Sequence, residues 1–347
     1  MATIFTRFIS LFISVLMFVT APLALLSGEK QQKISHAEEG CKLSFATISD
    51  VHMKNMWGEQ KVLELGLYDM EKAEDQLDAL VYTGDITDHG YIEMWDRVAD
   101  AMSKFTPAKE SFLVVGNHDT WGPNRDEFDN PVDGVKPTFI KYNKQISDRD
   151  ISEMYFSDIV NGYYFICLGS EEDHTDAYIS DAQLQWFDAE MQKAQATGLP
   201  IFVFLHQPII GTHGLPYNWE LDKNYDEDDG GIGAQNDAVV EILKKYDNVF
   251  FITGHIHTGL KEEGAKIGVE YASVEYMDNN NGNKITLVNV PCYMYFDFTR
   301  GGHFGNGCGY VIEAYENKVL LRGRNFITGK YLTKYDVEVP LVDVSAR

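Results

Sequence analysis

Basic residues are scarce in this 347-residue chain. It has 29 lysines and arginines against 53 aspartates and glutamates, a formal net charge of −24 and a pI near 4.7. So acidic a protein is a poor partner for nucleic-acid backbones or anionic membrane surfaces, where cations supply most of the affinity. Any anionic ligand would have to be attracted locally, against the overall field. Cysteine is scarce too, four in all, and none stands in the histidine- and aspartate-bearing clusters described below. That argues against a cysteine-ligated structural zinc. Internal repeats, low-complexity tracts and a dividing linker are also missing, so one domain over 38–347 is expected.

What precedes that domain reads as an export signal. Arg7 is followed by a nearly uncharged apolar stretch over residues 8–26, then by a polar segment reaching Ser35-His36-Ala37. The order basic, apolar, small is that of a secretory signal, with cleavage expected after Ala37 and a secreted product without membrane attachment. The alternative is a retained anchor, since nineteen apolar residues just span a bilayer. Cys41 lies too far from the apolar stretch for a lipoprotein-type junction. In an oxidising compartment cysteines can pair; Cys292 with Cys308 is the pair expected, and Cys167, inside an apolar run, is expected to be a buried free thiol.

From Leu43 onward short β-branched and aromatic runs (43–48, 79–83, 112–115, 163–168, 201–205, 249–253) alternate with helical patterns. Tyr91, Met94, Trp95, Val98, Met102 and Phe105 recur at helical spacing. Ser180 with Gln183 forms a capping-box pattern, and Asn236 or Asp237 is placed to cap a further helix. Strand and helix in alternation predict an α/β fold with largely parallel pairing. Near the C-terminus, 284–290, 310–315 and 319–324 read as strands without helices between, expected to form the antiparallel part of a second sheet. Two long insertions, 120–162 and 207–235, are expected to overhang the strand ends; the second holds His213, Trp219 and the acidic run Asp226-Glu227-Asp228-Asp229.

The chain is organised around those strand ends. Gly116-Asn117-His118-Asp119 follows the run 112–115 directly, and four comparable clusters follow other runs: Asp50-Val51-His52, Gly84-Asp85-Ile86-Thr87-Asp88, His206, and Gly254-His255-Ile256-His257. Alone, each would be a turn, a cap or a satisfied histidine. One metal site accounts for all five together, and carboxylates with imidazoles suit Zn, Mn or Fe.

The series D-x-H, G-D-x-x-D, G-N-H-D, H, G-H-x-H resembles the calcineurin-like metallophosphoesterase superfamily from Leu43 to about Thr258. The resemblance implies a four-layer α/β/β/α sandwich, two mixed β-sheets flanked by helices, and a centre of two metal ions. By motif position Asp50, His52 and His257 would hold the first ion, Asn117, His206 and His255 the second, with Asp85 bridging. His118 and Asp119 would stand beside the metals without binding them, His118 as a proton donor favoured by the neighbouring Asp119. The implied activity is metal-dependent hydrolysis of phosphate esters by in-line attack of a metal-bridging hydroxide. The start at Ser49 and the segment Gly84 to Gly90 look most like the phosphodiesterase branch, with a nucleotide among the candidate substrates. A broad phosphomonoesterase and a non-catalytic metal-binding surface protein are the alternatives. In purple acid phosphatase relatives a tyrosine stands three residues beyond the bridging aspartate. Here that residue is Asp88, so no intense visible band is expected with iron unless Tyr293 or Tyr295 reaches the metal.

Overall fold

The computed structural model of the chain describes residues 31–122, 131–172, 175–217, 230–260, 271–294 and 307–344. The apolar stretch 8–26, Trp219, the acidic run at 226–229 and Tyr295 lie outside the described residues. Among the described residues no helix is long and apolar enough to cross a membrane.

The first half alternates as its pattern predicts: β1 (Leu43–Ile48), α1 (Trp57–Glu71), β2 (Ala79–Thr83), α2 (Ile92–Met102), β3 (Glu110–Val114), α3 (Pro131–Ser147). The second half holds β4 (Phe156–Val160), β5 (Tyr163–Cys167), α4 (Asp181–Gln195), β6 (Ile201–Phe204), α5 (Asn236–Leu243), β7 (Val249–Thr253), β8 (Val274–Asp278) and β9 (Lys284–Asn289). It closes with β10 (Cys308–Ala314), β11 (Lys318–Asn325), β12 (Lys330–Tyr331) and β13 (Val337–Pro340). One sheet runs β12-β11-β10-β1-β2-β3 with β13 on β11; the other runs β4-β5-β6-β7-β9-β8. Both are mixed: β1, β2 and β3 are parallel with β10 antiparallel to β1, and β5, β6, β7 and β9 are parallel with antiparallel edges.

Strand alternation explains the layering. In β1, Leu43 and Phe45 join Phe112, Phe165, Phe202 and Phe204 between the sheets, whereas Ala46 and Ile48 join Leu63, Trp95 and Tyr142 under the helices. Successive side chains point to opposite faces, and both faces of β1 are covered. The Phe45 ring meets Phe165 and Phe202 edge-on, each at 5.0 Å. Burying each such ring contributes about 1.5–3 kcal/mol. A third cluster packs Ile166, Val203 and Phe251 against Phe187 and Val239 of α4 and α5. The layers are therefore helix, sheet, sheet, helix.

Several expectations change. The C-terminal strands do not form one antiparallel unit: β10 and β11 extend the first sheet, and β9 adds parallel to β7 in the second. The insertion at 120–162 contains α3 and β4, hidden in the sequence by Gly134 and Pro137 and by the polar faces of both elements. Ser180 Oγ does accept from the Gln183 N–H, but the Gln183 amide turns to Gly169 instead of closing the box. Helix α5 is preceded by Gln235, and Asn236 Oδ1 accepts from the Ile210 N–H. Cys292 and Cys308 are buried and not joined in a disulfide; Cys167 is a buried free thiol.

Residues 31–38 pack against the body. Ile34 is 2% exposed and its carbonyl accepts from the Glu74 N–H. Arg324 donates to Gln32 O at 2.6 Å, Arg322 to Ser35 O at 2.7 Å, and the Ala37 N–H to Glu313 at 2.9 Å.

Candidate metal centre

Each cluster leaves a strand at its C-terminal end. Asp50 and His52 follow β1, Asp85 follows β2, Asn117 and His118 follow β3, His206 follows β6, and His255 and His257 follow β7. Three of these strands belong to one sheet and two to the other, so the centre straddles the pair. The turns are sharp. Asp50, His52, Asp85, His255 and His257 have φ between 44° and 74°, a region non-glycine residues seldom occupy and one that persists only where the surroundings impose it. Glycine is needed beside them: a side chain at Gly84 would strike the His206 ring, and one at Gly116 would strike the Asp85 backbone and carboxylate.

The side chains converge. Asp50 Oδ1 lies 3.2 Å from His257 Nε2, 3.8 Å from His206 Nε2 and 3.9 Å from His52 Nε2. Asp85 Oδ2 lies 3.1 Å from His206 Nε2 and 3.5 Å from His52 Nε2. Ligand-type atoms of Asp50, His52, Asp85 and His257 fall within 4.8 Å of one another, as do those of Asp85, His206 and His255. Asp85 belongs to both groups. Asn117, on the neighbouring strand end, is 4% exposed.

Neighbours hold these groups in place. His206 Nδ1–H donates to Thr83 O at 2.8 Å, turning Nε2 inward. The His255 N–H donates to Asp50 Oδ2 at 3.2 Å and the His118 N–H to Asp85 Oδ1 at 2.9 Å. Asp88 Oδ1 stands 3.3 Å from His52 Nδ1. Partners of this kind fix the orientation and tautomer of metal-binding side chains. Burial alone would raise the Asp85 carboxyl, yet the charges of His206 and His118 hold it well below the usual range. Burial would lower His206, yet Asp85 and Asp50 lift it to about 9. The carboxylates thus draw positive charge towards themselves.

Asp119 takes partners other than the His118 ring. Its carboxylate accepts from the N–H groups of Ile86, Thr87 and Gly116 at 3.2, 2.8 and 3.0 Å, and from the Thr87 hydroxyl at 2.8 Å. It clamps the loop after β2 to the loop after β3 and does not support the His118 ring. That ring instead donates through Nδ1 to Asp88 O at 2.9 Å and sits edge-on to His52 at 4.5 Å. Nε2 is then the nitrogen available for proton exchange. Tyr293 is fully buried with its hydroxyl directed to Val62 O of α1.

Metal ions fit this donor set. Asp50 Oδ1, Asp85 Oδ2, Asn117 Oδ1 and His206 Nε2 are buried without a well-directed hydrogen bond, a state few native polar atoms are left in. They sit on four adjoining strand ends, and oxygens with imidazole nitrogens suit Zn, Mn or Fe. Two shared groups of donors can bind two ions.

Two contributors escaped the sequence reading. Asp88 was visible in its motif but not as the partner of His52. Asn289, at the end of β9, donates to Gly254 O at 2.6 Å and accepts from the Thr258 hydroxyl at 3.0 Å, holding the loop of His255 and His257. A lone asparagine ending a strand carries no signal that could have revealed this.

A double-sheet sandwich with a carboxylate shared between two imidazole-rich groups defines a metal-dependent phosphoric ester hydrolase. The chain belongs to the calcineurin-like phosphoesterase family, whose sequence profile matches residues 43–259. No curated protein matches it significantly. Among solved structures, a dimetal phosphatase from Danio rerio is 15% identical with a TM-score of 0.53, the match covering 87% of this chain and all of that one. A purple acid phosphatase from yellow lupin seeds is 13% identical with a TM-score of 0.54, covering 86% of this chain and 53% of that one. At these identities the two share its fold.

Proposed function

We propose that the protein is an exported phosphodiesterase that hydrolyses small phosphodiesters, nucleotides among them, by in-line displacement at phosphorus. Asp50, His52 and His257 would hold one ion, Asn117, His206 and His255 the other, and Asp85 both. Bound there, the ions supply Lewis acidity and neutralise charge building on the phosphoryl oxygens. The remaining work falls to the chain. Asp88 O and the turn at 118–120 orient the His118 ring. His118 Nε2 delivers a proton to the departing ester oxygen. Asp119 keeps the two loops in register.

The observation that carries the reading is His118. It is tied through Nδ1 to a carbonyl, is partly exposed, and stands against the donor cluster; a purely structural metal site has no use for such a proton donor. Export is supported by the order of Arg7, the apolar stretch and the small residues that follow it.

Alkoxide leaving groups need a proton as the P–O bond breaks, and nitrophenolate hardly does. His118→Asn should therefore slow hydrolysis of an alkyl or nucleoside diester by about 10²–10⁴-fold and a nitrophenyl diester far less, with two ions still bound. Equal losses on both substrates in a fully metallated variant would reject the proton-donor role. Faster release of nitrophenol from mono- than from bis-nitrophenyl phosphate would favour a phosphomonoesterase.

A further inference from the structure

We propose that His89, Tyr91 and Trp121 form a ledge beside His118 that stacks an aromatic substituent of the substrate, a nucleobase or an aryl group. The proposal rests on the phosphodiesterase reading above and names the substrate class of that site.

The rings lead outward from the centre in sequence. Trp121 lies against His118 at 4.0 Å with 35° between the planes. His89 meets Trp121 edge-on at 5.5 Å and lies 6.3 Å from His118. Tyr91 lies nearly parallel to His89, at 6.1 Å and 17°. Trp121 and His89 are partly covered, and Tyr91, at the outer end, is 38% exposed.

The ledge is also fixed to the reacting groups. The Trp121 N–H donates to His118 O, so the indole belongs to the same turn as the proton donor. His89 Nδ1 pairs with Asp88 Oδ2 at 2.9 Å while the other oxygen of Asp88 faces His52. Gly90 lies at φ +63°, and a side chain there would strike Asp119 O, so the two loops bearing the rings are closely packed.

Chemistry selects the ligand. A chain of net charge −24 gives little long-range pull on an anion, so binding energy has to come from contacts beside the phosphorus. Flat rings offer stacking, which tolerates any base because every base has a π-face.

The metal-loaded enzyme would be compared on two diesters without an aryl leaving group, thymidine 5′-methyl phosphate and dimethyl phosphate, with products read by chromatography. In Tyr91→Ala and His89→Ala, the ratio of kcat/KM for the thymidine ester to that for dimethyl phosphate should fall by about 5- to 150-fold, the range for losing a base-stacking ring. Calorimetric affinity for thymidine 5′-monophosphate should fall similarly. Tyr91 is the cleaner position, since the ion pair with Asp88 belongs to His89. An unchanged ratio overturns the ledge, whether both substrates lose activity equally or neither does. If the wild type cleaves neither diester, the phosphodiesterase reading fails by itself; the nucleotide-binding comparison still decides for or against the ledge.

Discussion

Behind the first sheet, Arg324 of β11 is fully buried, and its guanidinium holds both carboxylate oxygens of Asp69 on α1 at 2.8 Å. Its Nη2 also donates to Gln32 O, leaving Nη1 alone without a partner. At the strand ends, Asp50 and Asp85 are buried as completely, yet each keeps an oxygen with no well-directed donor. A buried charge costs several kcal/mol unless it is matched. The first region matches its charge inside the protein, and the second leaves it for something that binds. Burial therefore does not distinguish function from architecture here; the bookkeeping of donors and acceptors does.

The largest expected effect comes from disturbing the unmatched region. Asp85→Asn should lower activity by about 10³-fold or more, beyond the 10–100-fold typical of an outer partner such as Asp88. Metal content should fall with it. Metal analysis and kinetics of Asp85→Asn and Asp88→Asn decide this. Equal metal content in the two variants would remove Asp85 from its place in both donor groups.

Disturbing the matched region should do the reverse. Asp69→Ala strands a buried guanidinium and should cost about 3–5 kcal/mol in denaturant unfolding, while metal stoichiometry and kcat stay near wild type. Replacing both partners by leucine or methionine should recover most of that loss. A fall in kcat without a fall in stability would show that the two regions are not separate.

Somewhat smaller is the effect of the segment at 31–38, which completes the matched region. Cleavage after Ala37 would remove Ile34 from the core and take Gln32 and Ser35 away from Arg324 and Arg322. Burial of Ile34 alone is worth about 1.5–3 kcal/mol. We therefore propose that any processing cut falls before Gln32, upstream of the small-residue site that the sequence suggests. A chain beginning at Glu38 should melt lower than one beginning at Gln31. N-terminal sequencing of protein from its native host tests the cut directly, and a terminus at Glu38 in a stable product would reject the structural role.

The sequence showed the strand ends well because each apolar run stops abruptly at a serine, glycine or histidine; the bounds of β1, β2 and β7 coincide with their patterns. What it hid depends on partners distant in the chain. Asn289 acquires its role only when β9 pairs with β7, and Asp119 turns to Thr87 and Gly116, although its neighbour His118 had looked the natural partner. The placement of β10 beside β1 is equally non-local. The small residues at 31–38 suit a cleavage site and equally a strap lying close to the body.

A third treatment of buried charge gives the smallest effect. Glu59, in the first turn of α1, accepts the Lys54 N–H at 3.1 Å, and it has neither a matched guanidinium nor a place among the metal donors. Burial pushes its carboxyl up from 4.5 to about 7, against the charge and amide of Lys54. It meets the cost of burial by holding a proton. The folded value lies above the unfolded one, so the stability this group adds is fully present below about pH 4.5 and is lost as pH rises through about 7. Glu59→Gln keeps an acceptor oxygen and cannot ionise. It should therefore gain stability over wild type on the order of 1 kcal/mol at pH 8 and almost none at pH 5, read as the difference between melts at the two values. A variant less stable at both would mean that the ionised carboxylate is favoured by the helix N-terminus, and Glu59 would then join the matched charges.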